Sequence, residues 1–303
     1  MTPVARQRKM RWLIAAVVAG LFVTIILVFW PIGPSPRSLP SPNGYDSIAK
    51  AGALVVELQG DYRQLPEPEL RELVASNAPA LELLRAGLQQ ECRVPVEASQ
   101  KYIERHLSQL SLVKRLALAL AAEGKLAEMD GHTNRAVHSY IDAIRLGHEA
   151  GRDGLLIDAM VGRACEAIGA GQLEKTVSAL DAKDCRSVIQ QLEIIEARRQ
   201  PPEETLRIER KWSHDTYGPI RLMGAMIAAR SWNPIAKAYQ GHAGKVQAAS
   251  TRNTQILLDF AMRAFELENG RSPSNHSELV PAYLSAWPTN NATKILRSVK
   301  TSP

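Results

Sequence analysis

Residues able to carry chemistry are spread thinly along this chain. Its seven histidines are His106, His132, His138, His148, His214, His242 and His276, and none falls in H-E-x-x-H or a Cys/His set of zinc spacing. His138 and Asp142 share a helical face, as do Trp212 and Asp215; such pairs more often serve surface hydrogen bonds and packing than a metal. The densest polar stretch is Glu203, Glu204, Arg207, Glu209, Arg210, Lys211, His214 and Asp215. Glu209 and His214 are its nominees for general acid or base. No third group that would orient them is identifiable, and pairs such as Glu203–Arg207 describe a solvated helix face. No G-x-S-x-G, P-loop or G-x-G-x-x-G occurs, and Gly169-Ala170-Gly171 lacks a preceding strand. The sequence therefore nominates no catalytic, cofactor-binding or metal-binding residue, and no cofactor.

Cys92, Cys165 and Cys185 are odd in number and contain no C-x-x-C, so at least one thiol must stay unpaired. Cys165 falls on the apolar face of a predicted helix, a usual setting for a buried free cysteine. No disulfide is expected.

The element that organises the chain is Trp12 to Trp30, WLIAAVVAGLFVTIILVFW, nineteen residues without a charge. As a helix they reach about 28 Å, close to the roughly 30 Å hydrocarbon core of a bilayer. Twelve of the positions between the tryptophans are Leu, Ile, Val or Phe, favouring insertion by on the order of 5 kcal/mol. Trp12 and Trp30 stand at the two interfaces, and Arg6, Arg8, Lys9 and Arg11 precede the run without an acid. The positive-inside rule puts residues 1–11 in the cytoplasm and the remainder outside. A cleaved signal would have a shorter apolar run ending at small residues; this one ends at Phe29-Trp30-Pro31. The expectation is a single-pass anchor whose partner is the lipid bilayer.

The net charge of +6 includes four charges from the first eleven residues, leaving +2 over the rest. That balance excludes a nucleic-acid partner, which requires a clustered basic face. Residues 31–45, PIGPSPRSLPSPNGY, hold five prolines and read as a semi-rigid stalk.

Beyond the stalk the apolar period is helical and strand signals are weak. Asp46 is the expected cap of a helix to about Leu58. A helix over Glu67 to Gln90 is expected to kink or divide at Pro79. Ser99 through Ala122 follows, with Gly124 a weak point. Thr133 or Asn134 caps a helix broken near Gly147 to Gly154, and Leu155 to Ile168 is stopped by Gly169 and Gly171. Leu173 to Leu180 and the Val188, Leu192 and Ile195 stretch give two more helices. Pro201-Pro202 starts a helix from Glu203 to about Ala229, in which Gly224 to Ala229 are small enough for close packing and too short for a second span. Gly124, Ala127, Ala136, Tyr140 and Ala143 sit at tetratricopeptide-like offsets, and the match fails one period on, so one helical hairpin is supported and a solenoid is not. Near the end, Ile256, Leu257, Phe260, Ala261, Ala264 and Phe265 line one face. Gly270 suits a left-handed stop, and Asn275 or Ser277 caps a short helix before Pro281.

Two stretches carry a resemblance. One is Arg145-Leu146-Gly147 with Gly154 to Asp158, Gly162, Glu166 and Gly169. The other is Ala264 to Pro273 with Leu279 to Leu284 and Trp287-Pro288-Thr289. Together with the anchor they resemble uncharacterised membrane-anchored helical proteins of planctomycete-type bacteria; the resemblance implies an architecture and a compartment, and no activity. The second stretch is also similar to the end of type II secretion pseudopilins. It departs from them at Asn290-Asn291, where Asp-Pro is expected, and in lacking their N-terminal cleavage motif, so neither a calcium site nor a pilus subunit is expected.

The reading is all-α: an N-terminal transmembrane helix followed by a multi-helix bundle of antiparallel hairpins, with a small C-terminal helix-turn-helix module. Its divisions are a basic tail (1–11), the span (12–30), the stalk (31–45), a helical body (46–250) and a C-terminal module (251–303). The expected function is a non-enzymatic protein-interaction or assembly component of the bacterial envelope. The alternative is a membrane-tethered hydrolase whose site is assembled from distant residues. A pocket collecting Glu209, His214 and a further ionisable group would favour the hydrolase.

Overall fold

The helical period of the sequence becomes eight α-helices in the computed structural model, which describes Gly20 and residues 38–57, 60–228 and 234–287. Over 219–228 and 234–240 only the backbone is described. The helices are α1 (Gly44–Leu54), α2 (Glu67–Leu88), α3 (Gln100–Met129), α4 (Thr133–Ala150), α5 (Leu156–Leu173), α6 (Ala182–Ala197), α7 (Pro202–Ala228) and α8 (Pro234–Asn269). Short 3-10 turns occupy Tyr62–Gln64, Glu174–Ala179 and His276–Glu278, and no strand occurs among the described residues. The fold is all-helical, as expected. Apart from Gly20, the expected span with its flanking Arg6, Arg8, Lys9, Arg11, Trp12 and Trp30 lies outside the described residues. Among those described, no helix is long and apolar enough to cross a membrane.

Several boundaries differ from the expectation, each for a local reason. Asn43, not Asp46, caps α1: its Oδ1 accepts from the Tyr45 amide at 3.2 Å, and α1 ends at Leu54. Pro79 does not divide α2, which runs unbroken from Glu67 to Leu88. Pro79 and Ala75, whose carbonyl loses its helical donor, both lie on the exposed side, where water can replace the missing bond. α3 runs through Gly124, and α5 runs through Gly169 and Gly171. Leu173 to Leu180 forms a 3-10 turn instead of an α-helix. α7 is interrupted at Gly218, which takes φ 69° and ψ 161°. Pro219 disfavours helical backbone before it, and glycine alone accepts that positive φ without strain. α8 passes through position 250 without a break.

Two large cores hold the helices together. One joins α4, α5 and α6 to the second half of α8, with Tyr140 and Phe260 fully buried. The other gathers α1, α2 and α3 against the opposite side of α4 and α5. The expected C-terminal face, Ile256, Leu257, Phe260, Ala261, Ala264 and Phe265, is buried. Gly270 at φ 67° then turns the chain, Asn275 Oδ1 caps the last turn, and Leu279 and Leu284 insert into the first core. Cys165 is buried on the face expected for it, and Cys92 and Cys185 are buried free thiols as well.

Candidate functional site

The described surface is opened most usefully by a groove of about 410 Å³ between the segment after Cys92 and the first half of α7. Arg93 to Ala98 has no helical structure because it is held by side chains and by neighbouring loops. Asn43 accepts from the Arg93 amide (3.0 Å) and donates to its carbonyl (2.9 Å). The Val94 amide donates to the Arg152 carbonyl (3.0 Å), and Trp212 Nε1 on α7 donates to the Glu97 carbonyl (2.8 Å). Leu39, Val94, Val96, Ile208 and Trp212 supply apolar walls. The charged rim is satisfied locally: Arg207 pairs with Glu204, Lys211 with Asp215 at 2.9 Å, and Arg93 with Asp153 at 3.5 Å. Arg93 also donates to the Ser38 carbonyl (3.2 Å), which fixes the middle of the 31–45 segment at the groove.

The two residues nominated for acid–base chemistry do not meet there. Five positions apart, Glu209 and His214 sit about 140° from each other around the helix axis, and neither lines the groove. Glu209 Oε2 accepts from the Leu156 amide at 2.9 Å, at the start of α5. Burial raises its pKa against the opposing pull of that hydrogen bond. Asp158 completes the cap, its Oδ2 accepting from the Leu155 amide at 2.7 Å. Both carboxylates sit where the positive end of the helix dipole favours them. The other oxygen of Asp158 is 2.5 Å from Nε2 of buried His106, whose ring stacks on Tyr102. Burial opposes a charge on His106, and the hydrogen bond and charge of Asp158 outweigh it, so the imidazole pKa is raised. His214 lies 3.3 Å from Asp215.

A second constellation, absent from the sequence reading, lies between the helices. His148 on α4, Glu166 on α5 and Glu196 on α6 bring ligand-type atoms within 4.8 Å of one another. This is a metal-like donor set, and the test is what stands between the three. Arg199 places Nη2 3.0 Å from His148 Nε2 and 2.7 Å from Glu196 Oε1, and bonds Glu166 as well. Asn253 on α8 donates to Glu166 at 2.5 Å and Glu196 at 2.6 Å. The guanidinium takes the position a metal would need and neutralises one of the two carboxylates. Burial by itself would raise Glu166, yet the His148 hydrogen bond and the Arg199 charge hold its pKa at about 2. Next to it, Arg163 donates to His242 Nδ1 at 2.5 Å, at the edge of a 40 Å³ cavity. The arrangement is an ionic clasp that ties four helical segments together. Its one sequence signal is Glu166 itself, a charge standing on the same α5 face as Gly162 and Gly169, both of which meet α4 backbone atoms.

The chain matches no protein-family model, no curated protein and no solved structure.

Proposed function

We propose that this protein is a single-pass, membrane-anchored helical component of the bacterial envelope that binds another protein through the groove beside α7, without catalysing a reaction. The carrying observation is the groove itself: an apolar trough whose charged rim residues pair with one another and do not converge on a common point. Catalysis would call for polar groups aimed at a shared reacting atom; recognition of a peptide segment calls for apolar walls and a satisfied polar rim. Residues 12–30 supply the anchor on hydropathy and flanking charge, with the N-terminus cytoplasmic and the body outside. The likeness to membrane-anchored helical proteins agrees with this placement.

The test joins topology to binding. A reporter fused after residue 45 is expected to be active only outside the cytoplasm, and the chain to resist carbonate extraction. A photo-crosslinker at Ala98 is expected to give a discrete protein adduct in cells, lost on Ile208→Asp with helical content retained. Cytoplasmic reporter activity overturns the placement, and an adduct insensitive to Ile208→Asp overturns the groove.

A further inference from the structure

Between Thr216 and Leu258 the chain has no Asp or Glu over 43 residues, where 31 acids in 303 residues would place about four. The same stretch holds five cations, Arg221, Arg230, Lys237, Lys245 and Arg252. With these and the four of the N-terminal tail set aside, the rest of the +6 chain stands at −3. Three acid-free stretches thus carry the excess positive charge: the tail before the apolar run, this one, and residues 279–303 with Lys294, Arg297 and Lys300.

Apolar pattern coincides with the charge. Over 219–228, at about 100° per residue, Ile220, Leu222, Met223, Met226 and Ile227 fall within an arc of about 160°. Glycine, alanines and Arg221 occupy the remaining registers. The first turns of α8 have one apolar register, Ile235 and Tyr239, which continues into His242 and Val246. Further along that register, His242 and Val246 are buried and line a cavity with Arg163 of α5. Exposed Lys245 falls on the flank of that register, about 60° from His242 and about 100° from Val246 around the axis.

Position supplies the occupant. Leu39, in the middle of the 31–45 segment, and Asp215, three residues before the Gly218 break, line the same groove. Seven residues separate Trp30 from Ser38, a reach of about 22 Å in polyproline geometry. On the anchor proposed above, Leu39 and Asp215 therefore lie within the reach of that segment from the bilayer.

We propose that the end of α7 (219–228) and the start of α8 (234–240) form a second, peripheral contact with the bilayer, selective for anionic lipid headgroups. Ile220, Leu222, Met223, Met226 and Ile227 supply interfacial burial, and Arg221 and Lys237 supply the attraction to the lipid charge. This rests on the anchor proposed above.

The full chain is reconstituted in phosphatidylcholine vesicles with and without phosphatidylglycerol. An environment-sensitive fluorophore is placed at Ala225→Cys, at Ala238→Cys, or at exposed Ser187→Cys on α6. The three native thiols are buried. Brominated lipids are expected to quench the 225 and 238 labels at least about two-fold more than the 187 label, more strongly with phosphatidylglycerol present. Arg221→Glu combined with Lys237→Glu is expected to remove the phosphatidylglycerol dependence. Equal quenching at all three sites, or cross-linking of the 225 label to a second copy in place of quenching, overturns the inference. Carbonate separates the two failures: release of the chain removes the anchor, whereas a retained chain with unquenched labels removes this contact alone.

Discussion

Two buried histidines carry opposite pH signatures. Burial, then the charges of Arg163 and Lys245, lowers the pKa of His242 to about 4, whereas an unfolded chain takes up its proton near about 6.5. The stability that depends on neutral His242 is full above about pH 6.5 and is lost as pH falls toward about 4. His106 runs the other way. Its raised pKa makes its contribution full below about pH 6.5 and lost as pH rises through the folded-state value. In urea unfolding from pH 4 to 6.5, His242→Gln is expected to flatten the acid-side slope by up to about 1.4 kcal/mol per pH unit. His106→Gln is expected to flatten the loss above about 6.5. Parallel curves for wild type and His242→Gln would show that burial and the neighbouring charges do not keep the ring neutral. Neither environment was legible in the sequence: His242 and Arg163 are 79 positions apart, His106 and Asp158 are 52. Periodicity reports the face a residue occupies on its own helix and carries no record of which other helix meets that face.

At the scale of elements, apolar periodicity was a sound guide to where helices lie; glycine marked the end of α8 at Gly270 and misled elsewhere. Gly124, Gly147 and Gly169 read as weak points or stops, and each lies inside a helix. A Cβ on Gly124 would stand 2.3 Å from the Tyr140 ring, and one on Gly169 would stand 2.4 Å from the Tyr140 carbonyl oxygen. On Gly147 and Gly162 it would stand 2.3 Å from the other glycine's carbonyl oxygen. These glycines are where α4 crosses its neighbours, so a residue chosen for contact between helices looks locally like a breaker. The tetratricopeptide-like offsets of Gly124 and Tyr140 did capture one such crossing, because both partners lie within one hairpin. Gly147→Ala is expected to cost about 1–3 kcal/mol in chemical denaturation, since backbone must move to admit the methyl. Gly171→Ala is the control: its nearest neighbour is the far end of Arg252 at 3.4 Å, and higher helix propensity should stabilise by about 0.5–1 kcal/mol. Equal effects at the two positions would mean that α4 and α5 do not cross this closely.

Over the whole molecule, the ionic clasp decides whether the described helices unfold together. His148, Glu166, Glu196 and Asn253 belong to α4, α5, α6 and α8, and Arg199 follows α6 directly. The same four helices share the core around Tyr140 and Phe260, which also receives Leu279 and Leu284 from beyond α8. α8 runs on from 234 to 269 through the boundary expected at 250. Polar and apolar contacts thus join the C-terminal residues to the body, and a cut at that boundary would leave each piece with half of a shared core. Arg199→Met tests the joint. It keeps much of the side-chain volume and leaves the Glu166 and Glu196 carboxylates without their guanidinium partner, with Glu166 only 3% exposed. Removing one partner of a buried ion pair costs about 3–5 kcal/mol, because the remaining charge stays desolvated. Hydrogen exchange on the full chain is expected to show α4, α5, α6 and the second half of α8 losing protection by the same amount in Arg199→Met. Glu166→Gln combined with Arg199→Met should recover part of that loss by removing one of those carboxylate charges. If α8 keeps wild-type protection while α5 loses it, the clasp is a local pair and the C-terminal region folds on its own account.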